Sequence, residues 1–148
     1  MEETKHTHKL AEYCADIRMG QLGPEVREHV KYLLLDFLGL AAKGLSMAST
    51  KKVHAMIQKI GGTGDGTIIG TSMRPLPQYA ALANAASSHS MSLDDIYTPA
   101  SIHPGSAIWA ASLATSEWMG ASGNRFLEGA VAGYETTLRI ADAVDSKS

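Results

Sequence analysis

The chain has 148 residues, 45% of them hydrophobic and 19% charged, with a net charge of −2 when histidine is neutral. That length fits one domain or a piece of a larger protein, and folding would bury about 68–70% of the surface the unfolded chain exposes. With no basic patch and no acidic tail, the charge argues against nucleic acid and against a strongly basic partner, and the single cysteine excludes an internal disulfide.

The residues from Met1 to His8 are polar and lack the apolar stretch of a secretory signal. They read as a frayed terminus, so His6 and His8 are not read as metal ligands. No run of 18 apolar residues occurs, so no membrane span is expected, and cysteine usage points to a cytoplasmic setting. Leu10, Tyr13, Cys14 and Ile17 recur at helical spacing and predict a helix over about 7–19, ended by Gly20 and Gly23. Cys14 in that stripe reads as a small buried hydrophobe, not a nucleophile.

Pro24 and Glu25 suit the first turn of a second helix. Its stripe is Val26, Val30, Leu33, Leu34, Phe37, Leu38 and Ala41, and Leu35 and Leu40 extend the apolar surface beyond it. This predicts a helix buried on most sides and stopped by Gly44. Ser49 or Thr50 can cap a third helix, whose face is Val53, Met56, Ile57 and Ile60. The glycines at 61, 62, 64 and 66 match neither a P-loop nor a GxGxxG fingerprint. They predict a turn into a brief edge strand at Thr67-Ile68-Ile69.

Past Pro75 and Pro77, an Ala- and Ser-rich helix spans about 78–88 and leads into a polar loop from His89 to Ile102. His103 is placed to cap the next helix, Pro104 to be its first residue, and Met119 its end. Ala107, Ala110, Ala111 and Ala114 form a small-residue stripe that would let a neighbouring backbone approach. After the Gly120–Gly123 turn, a last helix over about 124–143 carries Phe126, Leu127, Ala130, Val131, Tyr134, Leu138 and Ile140. Within it, Gly129 and Gly133 predict a close helix–helix contact. The fold class is therefore all-α, an array of about six helices with at most one short strand.

The loop carries the chemistry. His89, Asp94, Asp95 and His103 lie close in sequence, with no Lys or Arg from 87 to 106. Adjacent side chains diverge, so one of Asp94 and Asp95 is expected to face a pocket while the other caps a turn. His103, at the start of a helix, can accept a proton or donate one from its ring N–H. His89, in a last helical turn, reads as structural. A metal site built from His89, one of the two aspartates and His103 is conceivable. No i, i+4 histidine pair, HExxH or cysteine spacing supports it, so neither metal nor other cofactor is expected. No G-x-S-x-G elbow supports a serine hydrolase.

The ordered residues His89, Leu93-Asp94-Asp95 and Pro99-Ala100-Ser101-Ile102-His103-Pro104-Gly105 resemble the loop of the MmgE/PrpD proteins. Leu34-Leu35-Asp36 with Gly39, Gly120 with Gly123, and Gly133-Tyr134-Glu135 with Arg139 extend the resemblance from about residue 10 to 144. It implies that residues 1–148 are an all-helical first domain, about a third of a protein whose second α+β domain lies outside this chain. It also implies a homodimer and a cofactor-independent lyase or isomerase acting on a small carboxylate such as 2-methylcitrate. His103, with Asp94 or Asp95, would then lie in the catalytic cleft. The chain departs from the dehydratase-like pattern at Ser92, where an acid often stands, and at Ile96, where Thr often stands. The competing expectation is a non-catalytic helical module that packs or dimerises, since the loop has no cation to hold a polycarboxylate.

Overall fold

The structure, a computed structural model, describes residues 4–145. Over that range it is an array of six helices: α1 (Thr4–Ala15), α2 (Pro24–Gly44), α3 (Ala48–Ile60), α4 (Pro77–His89), α5 (Gly105–Trp118) and α6 (Gly123–Asp145). Two 3-10 turns lie at Met19–Gln21 and Thr98–Ala100. The all-α class expected from periodicity is what the chain adopts.

The main core gathers Ile17, Met19, Val30, Phe37, Ile108, Trp109, Ala130 and Val131 from α2, α5, α6 and the segment after α1. A smaller core of Ile57, Ile68, Ala80 and Ala83 lies between α3, α4 and the connection joining them. Helix α4 is the hub, packed against α5, α2 and α3. Its small residues allow this. Ala80 and Ala83 are fully buried, and a Cβ on Gly44 of α2 would collide with the Ser87 carbonyl of α4. Gly44 therefore serves close packing as well as helix termination.

Several expectations need correction. The first helix begins at Thr4, so His6 and His8 are helical, and His8 pairs with Glu12 at 3.1 Å. Residues 1–3 lie outside the described range. The helix stops at Ala15 instead of continuing to 19. The Arg18 guanidinium donates to the carbonyls of Ala15 and Ile17 at 2.7 and 2.8 Å. The Met19 N–H donates to Glu128 Oε1 at 2.9 Å, which diverts the chain and drops Ile17 and Met19 into the core.

Helix α3 starts at Ala48 with Met47 at its cap position, so neither Ser49 nor Thr50 caps it. No strand forms at Thr67-Ile68-Ile69. Side chains replace the ladder: Asn84 accepts from the Ile69 N–H and donates to the Thr67 carbonyl, at 2.9 and 2.7 Å. Glu117 accepts from the Thr67 N–H at 2.8 Å. Extended backbone is satisfied there without a partner strand. Helix α2 is less buried than its apolar sequence suggests: Val30, Phe37, Ala41 and Gly44 are inside, while Tyr32, Leu35 and Leu38 are exposed. Among the described residues no single helix is long and apolar enough to cross a membrane.

Candidate active site

The loop between α4 and α5 is anchored at both ends. Tyr97 and Ile102 form one antiparallel bridge, with the Tyr97 N–H donating to the Ile102 carbonyl at 2.8 Å. The Thr98–Ala100 turn sits between them and closes through Ser101, whose φ is +51°. This clasp fixes the spacing of the residues on either side.

Asp94 and Asp95 point to different partners. The Asp94 side chain is 4% exposed, and both its oxygens lie 2.9 Å from His89 Nδ1. His103 Nδ1 is 3.4 Å from Asp94 Oδ1 and 3.2 Å from the Asp94 carbonyl oxygen. Those atoms accept, so each Nδ1 carries the hydrogen, which leaves Nε2 as the basic nitrogen of each neutral ring. The two rings meet edge to face, with centroids 5.4 Å apart. His89 is half exposed and His103 about a third exposed.

Asp95 serves the helix. Its Oδ1 accepts the Gly105 N–H at 2.9 Å, and its Oδ2 accepts the Tyr134 hydroxyl hydrogen at 2.7 Å. Trp109 Nε1 donates to the same hydroxyl at 3.1 Å. The cap of α5 therefore comes from a carboxylate ten residues upstream. His103 is not the N-cap, because Pro104 occupies that position in a helical conformation. A Cβ at Gly105 would collide with the Asp95 carboxylate, so glycine is needed for this approach.

The structure adds four residues to the candidates. His89, read as structural, shares the Asp94 carboxylate with His103. Asp36 on α2 faces the same acids, and its pKa is raised by partial burial and then by Asp95 and Asp94. Tyr134 and Trp109 hold Asp95, and burial with the Asp95 contact pushes the Tyr134 hydroxyl pKa up. The hints in sequence are a lone acid in the apolar run of α2, the five-residue interval from His89 to Asp94, and the places of Asp36 and Tyr134 in the motifs that carry the family resemblance. A cavity of about 300 Å³ opens beside Asp95, Pro104 and Tyr134, with Val26, Val30 and Leu138 among its walls. His89 and His103 line neither this cavity nor a smaller one of about 10 Å³ by Asp36, Asp94 and Asp95, and both rings are partly exposed.

His89, Asp94 and His103 also present ligand atoms all within 4.8 Å of one another, a convergence that linear spacing did not predict. Among the described residues, the groups in ion-pair contact with Asp94 are these two imidazoles.

A helical domain that sets a shared imidazole–carboxylate cluster at the mouth of a small-residue helix is a scaffold suited to moving protons. The family model of the MmgE/PrpD N-terminal domain matches residues 8–148, and the chain belongs to that family. It is similar to the cis-aconitate decarboxylase-like protein oryM of Aspergillus oryzae, 26% identical over 145 residues, covering 93% of this chain and 30% of that protein. Cis-aconitate decarboxylase of Aspergillus terreus is 25% identical over 143 residues, covering 93% and 29%. The chain thus spans less than a third of the length of these relatives. No solved structure matches it significantly.

Proposed function

We propose that this chain is the proton-handling domain of a cofactor-independent lyase acting on a small di- or tricarboxylate, of which 2-methylcitrate and cis-aconitate are the first candidates. The observation that carries this reading is Asp94, whose buried carboxylate accepts from His89 Nδ1 and whose main-chain carbonyl accepts from His103 Nδ1, which leaves each Nε2 as the basic nitrogen. His103 Nε2 takes or returns the proton at the carbon next to a substrate carboxylate. Hydroxide or carbon dioxide then leaves, according to the substrate. Asp94 holds the tautomer, His89 shares its charge, and Asp95 positions the helix start. The loop has no Lys or Arg, so the substrate's carboxylates would be held by cations from outside this chain.

The family's decarboxylase-like relatives support the reaction class, and the geometry supports the assignment to His103. In the full-length protein, His103→Asn should lower kcat by about a hundredfold or more on whichever of the two substrates is turned over, with the fold retained by circular dichroism. Near-normal turnover would remove His103 from the chemistry. Asp94→Asn should fall comparably, because an amide N–H facing the rings favours the wrong tautomer.

A second reading, a non-catalytic helical packing module, is favoured by the exposed apolar residues of α2 and of the turn after α5. Activity in the isolated 148-residue chain would rule it out, as would the expected loss in His103→Asn.

A further inference from the structure

We infer that His89, Asp94 and His103 form a binding site for a divalent transition metal of the zinc class, with the remaining coordination positions open to water or to a carboxylate ligand. The inference shares residues with the proton relay proposed above but does not depend on it, and its test reads metal rather than turnover.

Geometry is the first argument. In a four-coordinate zinc site with metal–ligand distances near 2.0–2.1 Å, neighbouring ligand atoms sit about 3.3 Å apart. His89 Nδ1 and His103 Nδ1 already lie 2.9 and 3.4 Å from the same Asp94 oxygen. All three ligand atoms fall within 4.8 Å of one another, so small side-chain adjustments complete the triangle. Two imidazoles and a carboxylate are a donor set that suits zinc, cobalt or iron(II) and not magnesium or calcium.

Charge is the second argument, and it is independent of the first. Asp94 is buried, and the ion-pair contacts described for it are imidazoles that carry charge only when protonated. Asp95 and Asp36 line the same small cavity as Asp94, so the negative field of three carboxyl groups gathers in this corner of the fold. A dication answers that field more strongly than two neutral rings.

Support is the third. His89 closes α4, while Asp94 and His103 flank the Tyr97–Ile102 clasp, so the ligands sit on fixed backbone. The two histidines remain partly exposed, which leaves a route for the ion. Binding moves the hydrogen of each neutral ring from Nδ1 to Nε2. No net proton is released from neutral rings, and the Nδ1 lone pairs become available to the metal. Occupancy would also remove Asp94 and His103 from proton transfer, so the ion acts as an inhibitor of the proposed reaction.

Cobalt(II) is the probe. Titrated into the metal-stripped full-length protein, it should bind one ion per chain with visible bands of a four- or five-coordinate site, and zinc should displace it. His89→Ala, a half-exposed residue at a helix end, should weaken binding at least about tenfold. Asp94→Asn should do the same, with circular dichroism confirming the fold. In ¹⁵N spectra of the zinc form, both ring nitrogens of His89 and His103 should move, Nδ1 to the position of a metal-bound nitrogen and Nε2 to that of a protonated one. A double His6→Ala, His8→Ala variant should bind as before. Absence of stoichiometric binding, binding unchanged in His89→Ala, or binding lost only with His6 and His8 would each overturn the inference.

Discussion

Single carboxylates in this domain pull stability in opposite directions with pH. Asp36 holds its proton more tightly in the folded chain than its ordinary value of 3.8 implies, because of partial burial and the nearby Asp95 and Asp94. Ionised Asp36 therefore costs stability above its folded pKa, and that cost vanishes as pH falls below the ordinary value. Asp36→Asn should raise Tm at neutral pH and leave it unchanged in strong acid, as differential scanning calorimetry would show. An unchanged Tm at neutral pH would mean that Asp36 does not feel the two loop acids. Glu128 is the opposite case. The Met19 N–H, then the Arg125 side chain, hold its pKa below the ordinary 4.5, so its contribution is present above that value and is lost as pH falls through the folded pKa. At this scale the sequence disclosed the polar loop and His103. It could not disclose that Asp36 approaches Asp94 and Asp95, because that approach brings α2 against a loop more than fifty residues away, nor that the chain after α4 turns back to set Asp94 on His89.

Among the elements, two glycines give a paired test of how the start of α5 is built. Gly105 admits the Asp95 carboxylate against the backbone, and a Cβ there would collide with it and crowd the Tyr134 hydroxyl. Gly105→Ala should cost about 1–3 kcal/mol, measured by urea unfolding, and should loosen the loop. At Gly129, in the interior of α6, an added Cβ would meet nothing within 4 Å. Gly129→Ala should stabilise by about 0.5–1 kcal/mol through helix propensity alone. Equal effects of the same sign would show that the cap geometry is wrong. The GxxxG spacing made the two glycines of α6 look equivalent, yet only Gly133 abuts a neighbour, Ile108 of α5. Tyr134→Phe tests the same junction from the other side. It leaves Asp95 without one donor and the buried Trp109 N–H without its acceptor, at about 1–3 kcal/mol. Helix existence was legible from periodicity for α2, α5 and α6. The missing strand at Thr67-Ile68-Ile69 was not, because Asn84 and Glu117, which replace its ladder, come from α4 and α5.

At the scale of the molecule, the apolar residues left outside form a coherent argument. Tyr32 and Leu35 project from α2, Leu93 and Ile96 flank the two acids in the loop, and Trp118 and Met119 end α5, all more than half exposed. Scattered exposed hydrophobes are ordinary on a protein surface, but Leu93 and Ile96 bracket the candidate site itself. Surface of that kind beside the proposed proton-handling groups suits coverage by another protein surface, which would also exclude water from the proposed chemistry. If so, the 148-residue chain alone should bind a hydrophobic dye or self-associate, and the full-length protein should do neither beyond its own defined assembly. Sedimentation and dye fluorescence on both lengths decide it. A dye-negative monomer of the short chain would mean that these side chains rest comfortably in water, and that no covering surface is needed to complete the site.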